Sequence, residues 1–110
     1  MVDIFKALAE ESRLRILALL LQEELCVCEI EECLNMTQSN VSRHLTALRK
    51  CGILETYKKA QWAYFKISEK FKEEHQNLWL YLMQNLNELP NYQMDFEKCQ
   101  NCKRQDLCNK

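Results

Sequence analysis

Apolar residues in the first half of the chain recur every three or four positions, the spacing that places them on one face of an α-helix. This pattern predicts four helices, at residues 4–9, 13–22, 27–35 and 38–51. Ser12 and Thr37 stand where the second and fourth helices are expected to begin, and both residue types are good N-caps. Gly52, the only glycine, is expected to end the fourth helix, because glycine readily adopts the left-handed conformation found just beyond helix ends.

The hydrophobic period changes after Gly52. Residues 53–57 and 62–67 are rich in the β-branched and aromatic residues that favour strands, and they flank the basic segment 58–61. We therefore expect a two-stranded β-hairpin with a basic tip. Helical spacing returns from Ser68 onward, and the last long helix carries an apolar stripe formed by Leu78, Trp79, Leu82, Met83 and Leu86.

This stripe has two interpretations, a core within one chain or a seam between two chains. We favour the seam, because the first and last helices have little else in the chain to cover them. The periodicity is lost after Pro90. Residues 91–110 are therefore expected to form a cysteine-containing tail beside a domain at residues 1–90, and to be disordered unless something ties them down.

The predicted order of helix, helix, helix–turn–helix, hairpin and helix is that of a winged helix–turn–helix. The fold class is thus α+β and mainly α, with about five helices and a two-stranded wing. A chain of 110 residues, 47% of them apolar, has a small core, so dimerisation is expected. No apolar run approaches the roughly 18 residues of a membrane span, and the N-terminus lacks a signal-peptide pattern, so we expect a cytoplasmic protein with no membrane partner.

The net charge of −1 is unevenly distributed along the chain. Residues 1–36 carry three basic and eight acidic side chains, whereas residues 37–70 carry seven basic and two acidic ones. Positive charge is concentrated on the fourth helix and the hairpin, as binding to DNA phosphates requires. Taken alone, the charge is also compatible with a solvated surface that has no partner.

The chain has seven cysteines, which is many for a compartment that keeps thiols reduced. Metal binding or redox sensing is therefore a better interpretation than a disulfide framework. Cys26 and Cys28 lie one residue apart at the start of the third predicted helix. Inside a regular helix their side chains would point about 200° apart, so they can share one ion only if the pair straddles the helix start or binding unwinds the first turn. Two small buried hydrophobic residues are the alternative.

Three stretches carry a resemblance to a known family: FKALAEESRLRI at residues 5–16, ELCVCEI at 24–30, and QSNVSRHL followed by LRKCGIL within 38–54. Together they resemble the ArsR–SmtB family of metal-responsive repressors, and within it the repressors of arsenical resistance. The resemblance implies a homodimer built on the first and last helices, which binds double-stranded operator DNA and dissociates when an ion binds cysteine thiolates. Residues 1–90 would then be the DNA-binding and dimerisation domain.

The same resemblance places four polar residues at the exposed start of the recognition helix: Gln38, Ser39, Ser42 and Arg43. Their chemistry agrees, because glutamine pairs with adenine, arginine with guanine, and serine with bases or phosphates. On the wing, Lys58, Lys59 and Gln61 would contact the DNA backbone or minor groove and position the protein. His44 has inward-facing neighbours, so we favour a structural role for it over base reading.

Cys26 and Cys28 are the expected metal ligands, and the third ligand is open. Where arsenite-sensing members have a third cysteine, three residues after the second, this chain has Glu31. Cys33 is a further candidate, although it would stand roughly 10 Å along a regular helix from Cys26. The tail offers Cys99, Cys102 and Cys108, either for the same ion or for a separate one.

Thiolates select soft ions and exclude magnesium and calcium. Arsenic(III) or antimony(III) is the first expectation for the inducer, with cadmium or lead second and zinc also compatible. Zinc-sensing members use aspartate and histidines on the last helix, where this chain offers only His75. That zinc site is therefore expected to be absent.

Three other functions are weighed against this one. A thiol-based redox-responsive regulator of the same fold would pair Cys99, Cys102 or Cys108 under oxidation. A metal-buffering protein without an operator is opposed by the basic stretch 37–70. An enzyme acting on a small organic substrate is not expected, since the cysteines lack a nearby histidine with an orienting partner.

Overall fold

The computed structural model describes the backbone of residues 1–105 and the side chains of residues 1–100. The chain folds as a mainly helical α+β winged helix–turn–helix, which confirms the predicted fold class. Its elements are α1 (Val2–Leu8), α2 (Glu11–Gln22), β1 (Leu25–Cys26), α3 (Val27–Leu34), α4 (Gln38–Lys50), β2 (Leu54–Lys59), β3 (Trp62–Ile67), α5 (Glu69–Glu74), α6 (Gln76–Asn85), a 3-10 turn (Leu86–Glu88) and α7 (Tyr92–Gln105).

The ends of α4 follow from its sequence as predicted. The Thr37 hydroxyl accepts a hydrogen bond from the Asn40 amide at 3.2 Å and caps the helix start. At the other end Gly52 has a φ of +88°, and Ile53 N–H donates back to the Leu48 carbonyl at 3.0 Å. This is a Schellman motif, and it requires a residue that tolerates positive φ.

The predicted start of α2 is wrong by two residues. The N-cap is Glu10, which has extended backbone angles, and Ser12 lies within the first turn. A serine at this position is compatible with the helix interior, so its residue type alone did not fix the boundary.

The sheet has three strands in the order β1-β3-β2, one more than the predicted hairpin. In β1, Leu25 pairs with Phe65 and Cys26 pairs with Tyr64, both antiparallel. A strand of two residues is too short for an alternation pattern, so periodicity could not predict it. Its consequence is that the chain segment leading into α3 is hydrogen-bonded to the wing.

The hydrophobic core lies between α2, α3, α4 and the base of the sheet. Its fully buried aliphatic side chains are Ile16, Leu17, Leu25, Ile30, Val41, Leu45, Leu48 and Ile53. Because α3 and α4 both contribute to this close-packed core, a displacement of one helix is transmitted to the other.

The last predicted helix is divided in two at His75, between α5 and α6. Leu82 and Leu86 are buried in the chain's own core, so the favoured interpretation of the stripe as a dimer seam is wrong for these two residues. Met83 of the stripe is exposed, and so are other large apolar residues at the start of α1 and on α6: Met1, Val2, Phe5, Leu80 and Tyr81.

The tail after Pro90 is helical as far as Gln105, where the part of the chain that the structure describes ends. Helix α7 packs against α2 and α3. The Arg15 guanidinium donates two hydrogen bonds to the buried Asp95 carboxylate, each at 2.9 Å, and Gln22 donates to the Tyr92 hydroxyl at 2.9 Å. These contacts tie down a segment expected to be disordered on its own. Among the described residues, no helix is both long and apolar enough to cross a membrane.

Candidate thiol centre and nucleic-acid interface

Cys26 and Cys28 lie on either side of the start of α3. Cys26 is the last residue of β1 and the N-cap of α3, with extended angles of φ −92° and ψ 168°, while Cys28 lies in the first helical turn. The two Sγ atoms are 2.9 Å apart. The pair therefore straddles the helix start, which is the geometry that the sequence required if both sulfurs are to reach one ion.

Glu29 holds this junction in place. Its buried carboxylate accepts a hydrogen bond from the Cys26 backbone N–H at 3.0 Å, one half of a capping box. A capping box satisfies backbone groups that the first helical turn leaves without partners. The backbone position of Cys26 is thus fixed from the helix side by Glu29 and from the sheet side by pairing with Tyr64.

A pocket of about 320 Å³ opens beside the two sulfurs. We call it the thiol pocket, and its lining residues are Cys26, Val27, Cys28, Glu31, Gln38, Trp62 and Ala63. Gln38 is the first residue of α4, and Trp62 and Ala63 begin β3. The wall of the pocket therefore contains the two candidate metal ligands, the start of the candidate recognition helix and part of the wing.

The donor set of the pocket fits a soft ion. Two thiolates bound to one tetrahedral zinc lie about 3.8 Å apart, given a metal–sulfur distance of about 2.3 Å. A small rotation of the side chains would bring the two Sγ atoms from the observed 2.9 Å to this separation. Glu31 adds a carboxylate to the same wall.

The other cysteines do not join this pair among the described residues. Cys33 and Cys99 are each 1% exposed, within the core. Cys102 lies in α7, but its side chain is outside the described part, and Cys108 lies outside the described residues altogether. No three His, Cys, Asp or Glu side chains converge as metal ligands within the part that is described. The structure thus brings two of the predicted ligands together, and no third one joins them among the side chains of residues 1–100.

The exposed face of α4 carries the predicted DNA contacts. Gln38, Ser39 and Arg43 are exposed and Ser42 is half-buried. An open depression on this face is lined by Ser39, Ser42, Arg43, Thr46, Ala47 and Lys50. This depression adds Thr46, Ala47 and Lys50 to the predicted contacts. Each of the three follows a predicted residue by four or seven positions, which is the helical spacing that indicates a shared face.

The wing presents its basic residues to solvent as predicted. Lys58 and Lys59 end β2 and are exposed, and Gln61 lies in the turn that joins β2 to β3. Lys59 pairs with Trp62 across this turn, which is made possible by a positive φ of 58° at Ala60.

The middle of the wing is linked to the segment before β1. The Tyr57 hydroxyl donates a short hydrogen bond to Glu24, and the Tyr57 ring stacks on Tyr64 at 5.8 Å between centroids. The bond to the Glu24 carboxylate raises the pKa of Tyr57 to about 12, so the hydroxyl remains a donor. Strand pairing and this side-chain contact connect the same two parts of the chain.

His44 lies on the inner side of α4 and is 2% exposed, in agreement with the structural role favoured for it. Arg13 Nε donates to His44 Nδ1 at 3.2 Å, and His44 Nε2 lies 3.3 Å from a Glu10 oxygen. Burial lowers the pKa of His44. The positive charges of Arg43 and Arg13 lower it further, whereas the negative charge of Glu10 raises it. The imidazole therefore joins α4 to the start of α2 in its neutral form.

Comparison with known proteins points to one family. Residues 10–56 match the family model described as bacterial regulatory protein, arsR family. The arsenic resistance transcriptional regulator ArsR1 of Pseudomonas putida is 45% identical over 65 residues, which cover 58% of this chain and 51% of that protein.

Two solved structures support the fold over more of the chain. HlyU from Vibrio cholerae superposes with a TM-score of 0.62 at 38% identity and covers 74% of this chain and 88% of its own. The homodimeric winged helix-turn-helix DNA-binding domain of Mb0332 from Mycobacterium bovis, a possible ArsR-family regulator, has a TM-score of 0.64 at 28% identity and covers 79% of this chain and 82% of its own. The chain spans only 51% to 58% of the length of the first curated relatives it matches.

Proposed function

This chain belongs to the ArsR family of bacterial regulatory proteins, and on that basis we propose that it is a metal(loid)-responsive transcriptional repressor. It binds operator DNA as a homodimer and dissociates when arsenite or antimonite binds cysteine thiolates. Cadmium or lead is the second choice of inducer. The observation that carries this proposal is the thiol pocket, in which Cys26 and Cys28 face the first residue of α4 and the start of β3.

The DNA-binding part of the proposal rests on α4 and the wing. Ser39, Ser42 and Arg43 share an open face of α4, and Gln38 lies at its exposed start. Arginine pairs well with guanine and glutamine with adenine, so these side chains have the chemistry of base readers. Lys58, Lys59 and Gln61 on the wing would position the protein on the backbone.

The inducer is proposed from the donor atoms. Two adjacent thiols favour soft ions, and three thiolates in a pyramid suit arsenic(III). Cys33, Cys99, Cys102 and Cys108 are the candidates for the third thiolate, and Glu31 stands in the pocket where the arsenite-sensing members carry a cysteine. The name of the Pseudomonas putida relative favours arsenic as the first ion to test.

The coupling between ion and DNA follows from the shared pocket wall. Drawing Cys26 and Cys28 onto an ion displaces the β1–α3 junction, which is paired with β3 and lies beside Gln38. The displacement acts on the wing and on the start of α4 together. A coupling free energy of about 2–3 kcal/mol would weaken operator binding roughly 30- to 150-fold.

Dimerisation is proposed through the exposed apolar residues of α1 and α6. Phe5, Leu80 and Tyr81 are 54%, 47% and 63% exposed, and burying such large apolar side chains against a second copy would be favourable. The Mycobacterium bovis neighbour, described as homodimeric, supports this part of the proposal.

The proposal is tested by measuring operator affinity with and without arsenite, by fluorescence anisotropy under metal-free conditions. We expect the Cys28→Ser variant to bind the operator like the wild type but to stay bound when arsenite is added. Cys51→Ser is the matched control, because Cys51 lies outside the pocket and donates to the Leu48 carbonyl at 3.4 Å; it should still release. Arsenite-induced release by Cys28→Ser would remove this thiol from the site.

A thiol-based redox-responsive regulator of the same fold is the second candidate. It is favoured by the adjacent sulfurs of Cys26 and Cys28, which are 2.9 Å apart, and by the high cysteine content of the chain. The same assay separates the two, since this candidate predicts release by hydrogen peroxide in a metal-free buffer and no release by arsenite under reducing conditions.

A further inference from the structure

Thr46 has no part in the function proposed so far, although it lies in the middle of the exposed face of α4. It is exposed and lines the open depression together with Ser39, Arg43 and Lys50. Seven residues, or two helical turns, separate it from Ser39, so the two side chains point within about 20° of each other. A helix that presents Ser39 to a DNA groove therefore presents Thr46 to the same groove.

The chemistry of this position differs from that of its neighbours. Thr46 and Ala47 each contribute a methyl group, whereas Ser39, Ser42 and Arg43 before them and Lys50 after them offer hydrogen-bonding groups. The middle of the depression thus carries two methyl groups beside the Thr46 hydroxyl group. In the major groove, the apolar feature that a base edge presents is the C5 methyl group of thymine, which threonine methyl and alanine contact favourably.

Building on the DNA binding proposed above, we propose that Thr46 is a specificity-determining residue that recognises a thymine through contact between its side-chain methyl group and the C5 methyl group. Ala47 forms the adjoining part of the contact surface. Thr46 stands about 10 Å along the helix axis from Ser39, which corresponds to about three base-pair steps. The recognised thymine therefore lies farther along the half-site than the bases nearest the start of α4.

The experiment uses the full chain and duplexes selected from a random pool by the wild-type protein. Each thymine of the selected site is replaced by uracil in both half-sites, one position at a time, which removes the methyl group and leaves the base pairing intact. Loss of one buried methyl contact corresponds to about fourfold in affinity, so two half-sites should give about 15-fold at one position. A uracil outside the protected site is the DNA control.

Two substitutions at Thr46 distinguish the contribution of its methyl group from that of its hydroxyl group. Thr46→Ser keeps the hydroxyl and loses the methyl, so it should lose most of the preference for thymine over uracil at this position. Thr46→Val keeps a methyl and loses the hydroxyl, so it should retain the preference for thymine. Circular dichroism checks that both variants fold like the wild type.

The inference is overturned if the wild type binds every uracil duplex as well as its thymine counterpart, if Thr46→Ser keeps the preference, or if Thr46→Val loses it. A selected half-site without thymine would overturn it as well. These results leave the proposed repressor function standing, because the wild type still selects a sequence. If the wild-type protein selects no sequence from the pool, the proposed function itself fails, and the inference with it.

Discussion

At the scale of single residues, Cys26 has three structural roles. It ends β1, it caps α3, and its sulfur lies beside that of Cys28. Loss of a helix cap costs about 1 kcal/mol, which is less than the 2–3 kcal/mol expected of an allosteric coupling. In the proposed mechanism, the remainder would come from the strand pairing with Tyr64 and the contacts around the thiol pocket.

His44 makes the stability of the protein depend on pH. Its pKa is lowered from 6.5, chiefly by burial, so the unfolded chain binds this proton more readily than the folded one. The contribution of His44 to stability is therefore full above pH 6.5 and decreases as the pH falls below it. Urea unfolding between pH 5 and pH 8 should show this fall in the wild type and a smaller one in His44→Gln.

His75→Gln serves as the control, since it removes the other histidine of the chain. We expect it to keep the wild-type pH dependence below pH 6.5. An identical fall in the wild type and in His44→Gln would assign the dependence to groups other than this imidazole.

Contacts between residues that are far apart in the sequence could not be predicted from it. The inward position of His44 was predictable, because Val41, Leu45 and Leu48 mark the buried face of its helix. Its partner Arg13 is 31 positions away, and Asp95 is 80 positions from Arg15. Pairings at such separations depend on how helices pack, and no local pattern of polar residues encodes them.

At the scale of elements, the sequence predicts best where periodicity is long and caps are strong. Helix α4 has a threonine cap, an inward stripe and a glycine end, and it forms as expected. Strand β1 was missed because it is two residues long, and α7 because its few apolar residues become a face only against α2 and α3. The thiol pair was predictable, whereas the pocket wall that includes Trp62 required the fold.

The link between β1 and β3 predicts which amides respond to the ion. Because Cys26 pairs with Tyr64, arsenite should change hydrogen exchange first in β1, β3 and the first turn of α4. Hydrogen-exchange mass spectrometry of the wild type, with Cys28→Ser as control, measures this. A response confined to α1 and α6 would instead indicate that only the dimer arrangement changes.

The Arg15–Asp95 pair predicts the contribution of α7 to stability. Asp95→Ala removes two hydrogen bonds to a guanidinium that is only 20% exposed, and it should lower the free energy of unfolding by about 1.5–3 kcal/mol. Glu97→Ala, further along α7, is the matched control and should change it by less than about 0.5 kcal/mol. Equal effects of the two substitutions in urea unfolding would show that the pair does not anchor the helix.

At the scale of the whole molecule, charge and apolar surface divide the protein into separate faces. Residues 37–70 concentrate positive charge, with seven basic and two acidic side chains, while the rest of the chain is acidic on balance. Acidic surface repels DNA and thereby restricts binding to one face. The exposed apolar residues of α1 and α6 lie outside this basic segment and are therefore available for a second copy.

The proposed dimer is tested by placing a charge among the exposed apolar residues of α6. Tyr81 is 63% exposed on α6, and Tyr81→Glu should produce monomers in analytical ultracentrifugation and lose operator binding, because two recognition helices must engage together. Met94→Glu on α7 is the control, since Met94 is 59% exposed and lies on a different helix from the proposed interface residues. A dimer that tolerates Tyr81→Glu would place the interface elsewhere.

The most direct measurement of the link between thiols and DNA is the affinity of the protein for arsenite with and without bound operator. Coupling between two binding sites is reciprocal, so the factor by which the ion weakens DNA binding must equal the factor by which DNA weakens ion binding. We predict that saturating operator weakens arsenite binding roughly 30- to 150-fold at fixed salt. An arsenite affinity that is the same on and off the operator would contradict the account.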